Sequence, residues 1–153
     1  MNYGKIAIAG LAATATMSLV IILIGLSALP TMNFATLIAT LLGIHVAFGW
    51  IVHFIIGIFW AMVYAELVNE NLPVISNIGR GIIYSILLFV LSSFAMLIAA
   101  PANGDGALQQ NAVLALLVNL PAYFAYGALL GFLLPRKSPV LFPEDVKGPH
   151  PAE

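Results

Sequence analysis

The chain contains no cysteine and has only eleven charged side chains among its 153 residues, five basic and six acidic. Without cysteine there is no disulfide, no thiolate metal site and no cysteine nucleophile. The scarcity of charge excludes more. Charged residues make up 7% of the sequence, whereas a soluble domain carries about a quarter. A formal net charge of −1 leaves no basic patch able to neutralise a row of phosphates, so nucleic acid is not an expected partner.

What is abundant is hydrocarbon. Hydrophobic residues make up 62% of the chain and the mean hydropathy is +1.08, a composition that would expose large apolar patches in water. Four apolar stretches, approximately 6–29, 36–67, 81–100 and 112–134, each reach the roughly 20 residues a helix needs to cross about 30 Å of hydrocarbon. The first is longer than the 7 to about 15 apolar residues of a signal-peptide core and is read as a span. Pro30 and Pro101 follow the first and third stretches, where a residue without an N–H cannot extend a helix. The connections are short, so consecutive helices are expected to be antiparallel neighbours. The expected fold is all-α: a transmembrane four-helix bundle running up-down-up-down over residues 1–134, in contact with the lipid bilayer.

Basic residues set the orientation, because cytoplasmic loops retain Lys and Arg. Lys5 precedes the first span, Arg80 separates the second from the third, and Arg136, Lys137 and Lys147 follow the fourth. All five fall on one side, which places both termini in the cytoplasm. Residues 135–153 hold five of the nine prolines and six of the eleven charges. Pro135, Pro139 and Pro143 recur every fourth residue, favouring extended conformations over helix, so this segment is expected to be a disordered cytoplasmic tail.

Shifting the chain by 70 positions lays the second span over the fourth, with His53-Phe54 on Tyr123-Phe124, Gly57 on Gly127 and Ala61 on Gly131. The offset equals two helices plus their loops, the signature a parallel duplication of a helical hairpin would leave. It also puts His53 and Tyr123 at similar depth.

On the second span Trp50, His53, Gly57, Trp60 and Tyr64 fall within an arc of about 80°, and His45 and Gly49 widen it to about 140°. Glycine beside rings on one face is a pattern of close helix contact, and Gly127 and Gly131 repeat it on the fourth span. Two readings stay open for this stripe. In one, His53 hydrogen-bonds another helix within a packing seam. In the other it is a site, since an ionisable group inside a membrane is costly and marks function by default. Asn119, Tyr123 and Tyr126 share a face of the fourth span, so the candidate intramembrane polar site is His53, Asn119, Tyr123 and Tyr126, with His45 nearer the outer side. Pro121 beside them frees the carbonyl four residues earlier. Gly10, Thr14 and Ser18 on the first span, and Ser85 and Ser92 on the third, read as bundle seams and not as catalytic serines, because no His–acid pair can be placed beside them.

Cofactor readings are thin. Bis-His haem needs two rings on opposite faces of one iron; His45 and His53 lie on one helix about 12 Å apart, so haem would require a dimer pairing two copies of His53. Zinc needs three or four ligands, and only the two histidines and the interfacial Glu66 are at hand. Glu66 and Glu70 lie at the end of the second span and Asp105 in an outer loop, so no span centre carries the acid that proton-coupled transport typically employs. The stretch from Asn103 to Gly106 lacks the further acidic ligands of a calcium loop and reads as a turn.

The pattern Gly49-Trp50, His53-Phe54, Gly57, Ala61, Tyr64-Ala65, with Tyr126-Gly127 and Gly131 in the fourth span, resembles that of small four-span bacterial inner-membrane proteins grouped as domains of unknown function. The resemblance implies a bacterial inner-membrane location and no assigned activity. It also implies, in many relatives, a second His shortly before the Tyr-Gly pair, where this chain has Pro121 to Ala125. The expected role is that of an accessory protein, not an enzyme, working as a homo-oligomer or within a larger membrane complex. The alternatives are a small-solute or proton pathway through His53, Asn119 and Tyr123, and a dimeric haem carrier.

Overall fold

The computed structural model describes residues 2–27, 29–68, 76–99 and 106–135. The expected tail, together with Glu70, Pro101 and Asp105, lies outside the described residues. The fold is all-helical, with four long apolar helices packed as a bundle. Helix α1 spans Tyr3–Gly25, α2 Phe34–Leu42, α3 Val46–Val63, α4 Asn77–Ala99 and α5 Gly106–Leu133, and α3 runs on into a π-turn at Tyr64–Val68.

The first departure from the sequence reading concerns the stretch 36–67, expected to be one helix. It is two. Gly43 adopts φ +64° and ends α2, with the Ile44 N–H donating to the Ala39 carbonyl; His45 then caps α3. Glycine takes this left-handed conformation without the Cβ penalty that other residues meet. Helix α2 has nine residues, a rise of about 14 Å, too short to cross a bilayer. It folds back on α3, with Ala35 and Ala39 against Gly49, where an added Cβ would overlap the Ala35 carbonyl oxygen.

The chain therefore re-enters the bundle between α1 and α2. Phe34 stacks on His53, which bonds Ser18 of α1, and Ser18 lies about 10 Å below the end of α1 at Gly25. Non-helical backbone at such depth is tolerated only where protein satisfies its polar groups. Asn119, fully buried on α5, does this for Met32: its amide nitrogen donates to the Met32 carbonyl at 3.2 Å and its oxygen accepts from the Met32 N–H at 3.5 Å.

Two seams hold the long helices. Gly10 and Thr14 of α1 face Gly57 and Ala61 of α3, while Gly81 and Ser85 of α4 face Gly127 and Gly131 of α5. The two hairpins thus make similar contacts, with α3 matching α5 at the offset of 70 seen in the sequence and α1 matching α4 at 71. Helix α1 also packs along α5, giving the spatial order α3, α1, α5, α4. Close approach of α3 to α4 is concentrated at the π-turn, where the Tyr84 hydroxyl donates to the Trp60 carbonyl at 2.7 Å and the Tyr64 and Tyr84 rings sit 5.3 Å apart. Arg80, expected in a loop, lies in the first turn of α4, buried, and donates to Asn77. Lys5 and Arg80 stand at the same end of the bundle, since α1 and α4 both start there.

Candidate functional site

Away from the π-turn a crevice separates α3 from α4. Its volume is about 310 Å³, at the lower end of the range for small-molecule sites. Thr14 and Met17 of α1 and Tyr123 and Tyr126 of α5 form its back; His53, Ile56 and Trp60 form one wall and Leu88, Leu91 and Ser92 the other. Helix α2 covers one end with Leu37, Ile38 and Leu41. Leu41, Ile56 and Leu91 at the mouth are 44%, 39% and 49% exposed, so the opening faces sideways, toward whatever surrounds the helices.

The hydroxyls of this lining are already hydrogen-bonded. The Tyr126 hydroxyl donates to the Gly57 carbonyl at 2.8 Å and the Thr14 hydroxyl to the Gly10 carbonyl at 2.8 Å. Ser92 donates to the Leu88 and Phe89 carbonyls, at 2.8 and 3.0 Å, and its oxygen lies 2.5 Å from the Tyr123 hydroxyl. His53 Nε2 lies 3.2 Å from the Ser18 hydroxyl. Phe34 stands between His53 and Tyr123, its ring centre 6.1 Å from the first and 5.8 Å from the second. Beyond His53 a second void of about 10 Å³ is bordered by Ser18, Asn33 and Trp50, room for about one water molecule.

The structure brings His53, Tyr123 and Tyr126 to one cavity and leaves the other two candidates elsewhere. Asn119 does not line the crevice: both ends of its amide are spent on Met32. His45 is exposed at the N-terminus of α3, where its Nδ1 accepts from the Ala47 N–H at 3.2 Å. It was expected on the His53 stripe, but the break at Gly43 turns it into a cap. Pro121 is exposed within α5 and is not part of the lining.

The packing stripe divides among several neighbours. Gly49 meets α2, Gly57 meets α1, Trp60 walls the crevice, Tyr64 is fully buried against Tyr84, and Trp50 touches His53 edge-on at 6.0 Å. Gly127 and Gly131 meet α4. Sequence reasoning missed Phe34, which lies outside the expected span. A signal was available: an apolar run of 32 residues exceeds one span, and Gly43 followed by His45 supplies a stop and a cap within it.

No group of three or more metal-ligating side chains occurs among the described residues. For haem, His53 is 8% exposed and enclosed by α1 and α2. Two copies could bring these rings to one iron only by opening that packing.

Four helices long and apolar enough to cross a membrane, a short re-entrant helix and a lateral apolar cavity define a multi-pass membrane protein in contact with a lipid bilayer. The chain belongs to a family of unknown function, DUF6789, whose model matches residues 1–139. No curated protein and no solved structure matches it.

Proposed function

We propose that this is a non-enzymatic protein of a bacterial inner membrane, with both termini cytoplasmic, that binds the hydrocarbon chain of a membrane-dissolved lipid in the crevice between α3 and α4. The observation that carries the reading is the crevice itself: a cavity of about 310 Å³ whose lining is almost wholly apolar and whose mouth is on the side of the bundle. At the roughly 30 Å³ that one small group occupies in a liquid, it accommodates about ten methylene-sized groups. Empty, it would forfeit dispersion contacts along its walls; a chain drawn from the bilayer restores them without leaving hydrocarbon. Lys5 and Arg80 at one end of the bundle support the orientation by the positive-inside rule.

In this reading the protein binds and does not transform, as an accessory alone or within a homo-oligomer or larger membrane complex. The polar pathway through His53, Asn119 and Tyr123 is less well supported, because Asn119 is withdrawn to the re-entrant segment.

Trp60 on the crevice wall provides the test. In lipid nanodiscs, with Trp50→Phe removing the second indole, bromododecane is expected to quench Trp60 fluorescence at least threefold more steeply than in the same protein carrying Ile56→Phe and Leu91→Phe at the mouth. Equal quenching in the two proteins would mean that no chain enters.

A further inference from the structure

The hydrogen bonds at the polar end of the crevice restrict what the head of the bound molecule can be. A serine hydroxyl has one proton, and that of Ser92 goes to the backbone carbonyls of Leu88 and Phe89. Either hydroxyl can supply the proton of the 2.5 Å contact between Ser92 and Tyr123; with the Ser92 proton on the carbonyls, the arrangement that leaves no hydroxyl without an acceptor has Tyr123 as its donor. Its phenolic oxygen is left with lone pairs and no hydrogen to offer. Tyr126 and Thr14 have likewise given their protons to the carbonyls of Gly57 and Gly10. In that arrangement the hydroxyls around this part of the cavity accept and do not donate.

Resting on the crevice reading, we infer that the ligand is a single-chain lipid whose head carries an O–H group, a long-chain alcohol or a protonated fatty acid, and that this O–H donates to Tyr123. An ester, ether or ketone head would bring only acceptors to an oxygen that, so arranged, only accepts. A phosphate head is excluded by its charge, since nothing in the lining would compensate a desolvated anion. Two chains exceed the volume. His53 lies across Phe34 from Tyr123, with that ring between the imidazole and the head. The chain then runs from this head along the wall toward Trp60, about 10 Å further along α3.

The experiment uses the full-length Trp50→Phe protein in phosphatidylcholine nanodiscs, with Trp60 quenching by four probes brominated at the chain end: bromoundecanol, its methyl ether, bromoundecanoic acid and its methyl ester. The alcohol and the acid at low pH should bind about fivefold more tightly than their methylated counterparts, the factor expected from about one hydrogen bond. Whether the alcohol or the acid binds better identifies the head. Tyr123→Phe should abolish the preference, so that the four probes bind alike. Ser92→Ala gives the sharper readout: deprived of its acceptor, Tyr123 regains a proton to donate, and the ether and ester should gain on the alcohol and acid. Equal quenching by all four probes in the unaltered site, above that of the mouth-filled protein, would overturn the inference while the crevice reading stood. Quenching no better than in the mouth-filled protein would overturn both.

Discussion

Two pairs of consecutive helices in this protein behave in opposite ways. Helices α4 and α5 lie so close that a Cβ at Gly81 would overlap the Gly127 carbonyl oxygen and one at Gly131 the Asn77 carbonyl oxygen. Helices α3 and α4 meet at the π-turn and leave a cavity beyond it. Lipid tails are as apolar as leucine, so between membrane helices shape decides and the hydrophobic effect does not. Gly81, Ser85, Gly127 and Gly131 give α4 and α5 complementary flat faces. Across the crevice the facing residues are Ile56 and Trp60 against Leu88 and Leu91, large side chains that hold the backbones apart. The cavity follows from where the small residues are not.

The strongest way to break that comparison is to put methyl groups into the two seams. At Gly127 the obstacle is backbone, the carbonyl oxygen of Gly81, with the Ser85 side chain next. Gly127→Ala is expected to cost about 3 kcal/mol or more, the upper range for overpacking, and Ser85→Ala should not rescue it. At Gly57 the three nearest obstacles all belong to the Thr14 side chain. Gly57→Ala should cost less, and Thr14→Ala should recover at least half of the loss. Unfolding by titration with sodium dodecyl sulfate measures both cycles. Equal rescue at the two seams would mean that side chains, and not backbone approach, set both distances.

The next effect sharpens the comparison from the other side of the bundle. Asn119 is the polar counterpart of a small residue: it holds α5 to the re-entrant segment by pairing with both backbone groups of Met32. Asn119→Leu strands a buried donor and a buried acceptor, for an expected loss of about 2–3 kcal/mol. Limited proteolysis should then cut between Leu29 and Asn33 faster than in the parent. Asn119→Asp keeps only the acceptor and should fall between the two. A variant Asn119→Leu as stable and as resistant as the parent would show that the segment is held by packing alone.

Much of this architecture was legible because the signals are physical and local. Four apolar stretches, Gly10, Thr14 and Ser18 spaced by four, and the offset of 70 between His53 and Tyr123 all reappear as spans, seams and two residues at one cavity. What stayed hidden depended on one dihedral angle and on partners far apart in the chain. Gly43 sits in a long apolar run, where a glycine is compatible with a helix that continues or reverses, and only the length of the run and the His45 after it hinted at the break. Its reversal moves His45 to a cap and brings Phe34 between His53 and Tyr123. Asn119 was legible as a buried amide on the face of Tyr123, but the demand that captured it came from the Met32 backbone, 87 residues away, and a backbone group has no residue type to reveal it. The crevice was hidden for a further reason, since a void has no sequence of its own.

Gly43 also yields the smallest and most diagnostic effect. Nothing lies within 4 Å of a Cβ added there, so the crowding that governs Gly127 is missing, and only the backbone conformation at φ +64° resists a side chain. Gly43→Ala should therefore cost about 1 kcal/mol, the left-handed penalty alone, and Gly43→Asn less, since asparagine tolerates this region better. Both are read from the same detergent-unfolding titration. The ranking of alanine above asparagine is the informative part, because asparagine is the larger residue. Were size to decide, as at Gly127, asparagine would be the worse of the two, and the hinge between α2 and α3 would have to be as crowded as the seams.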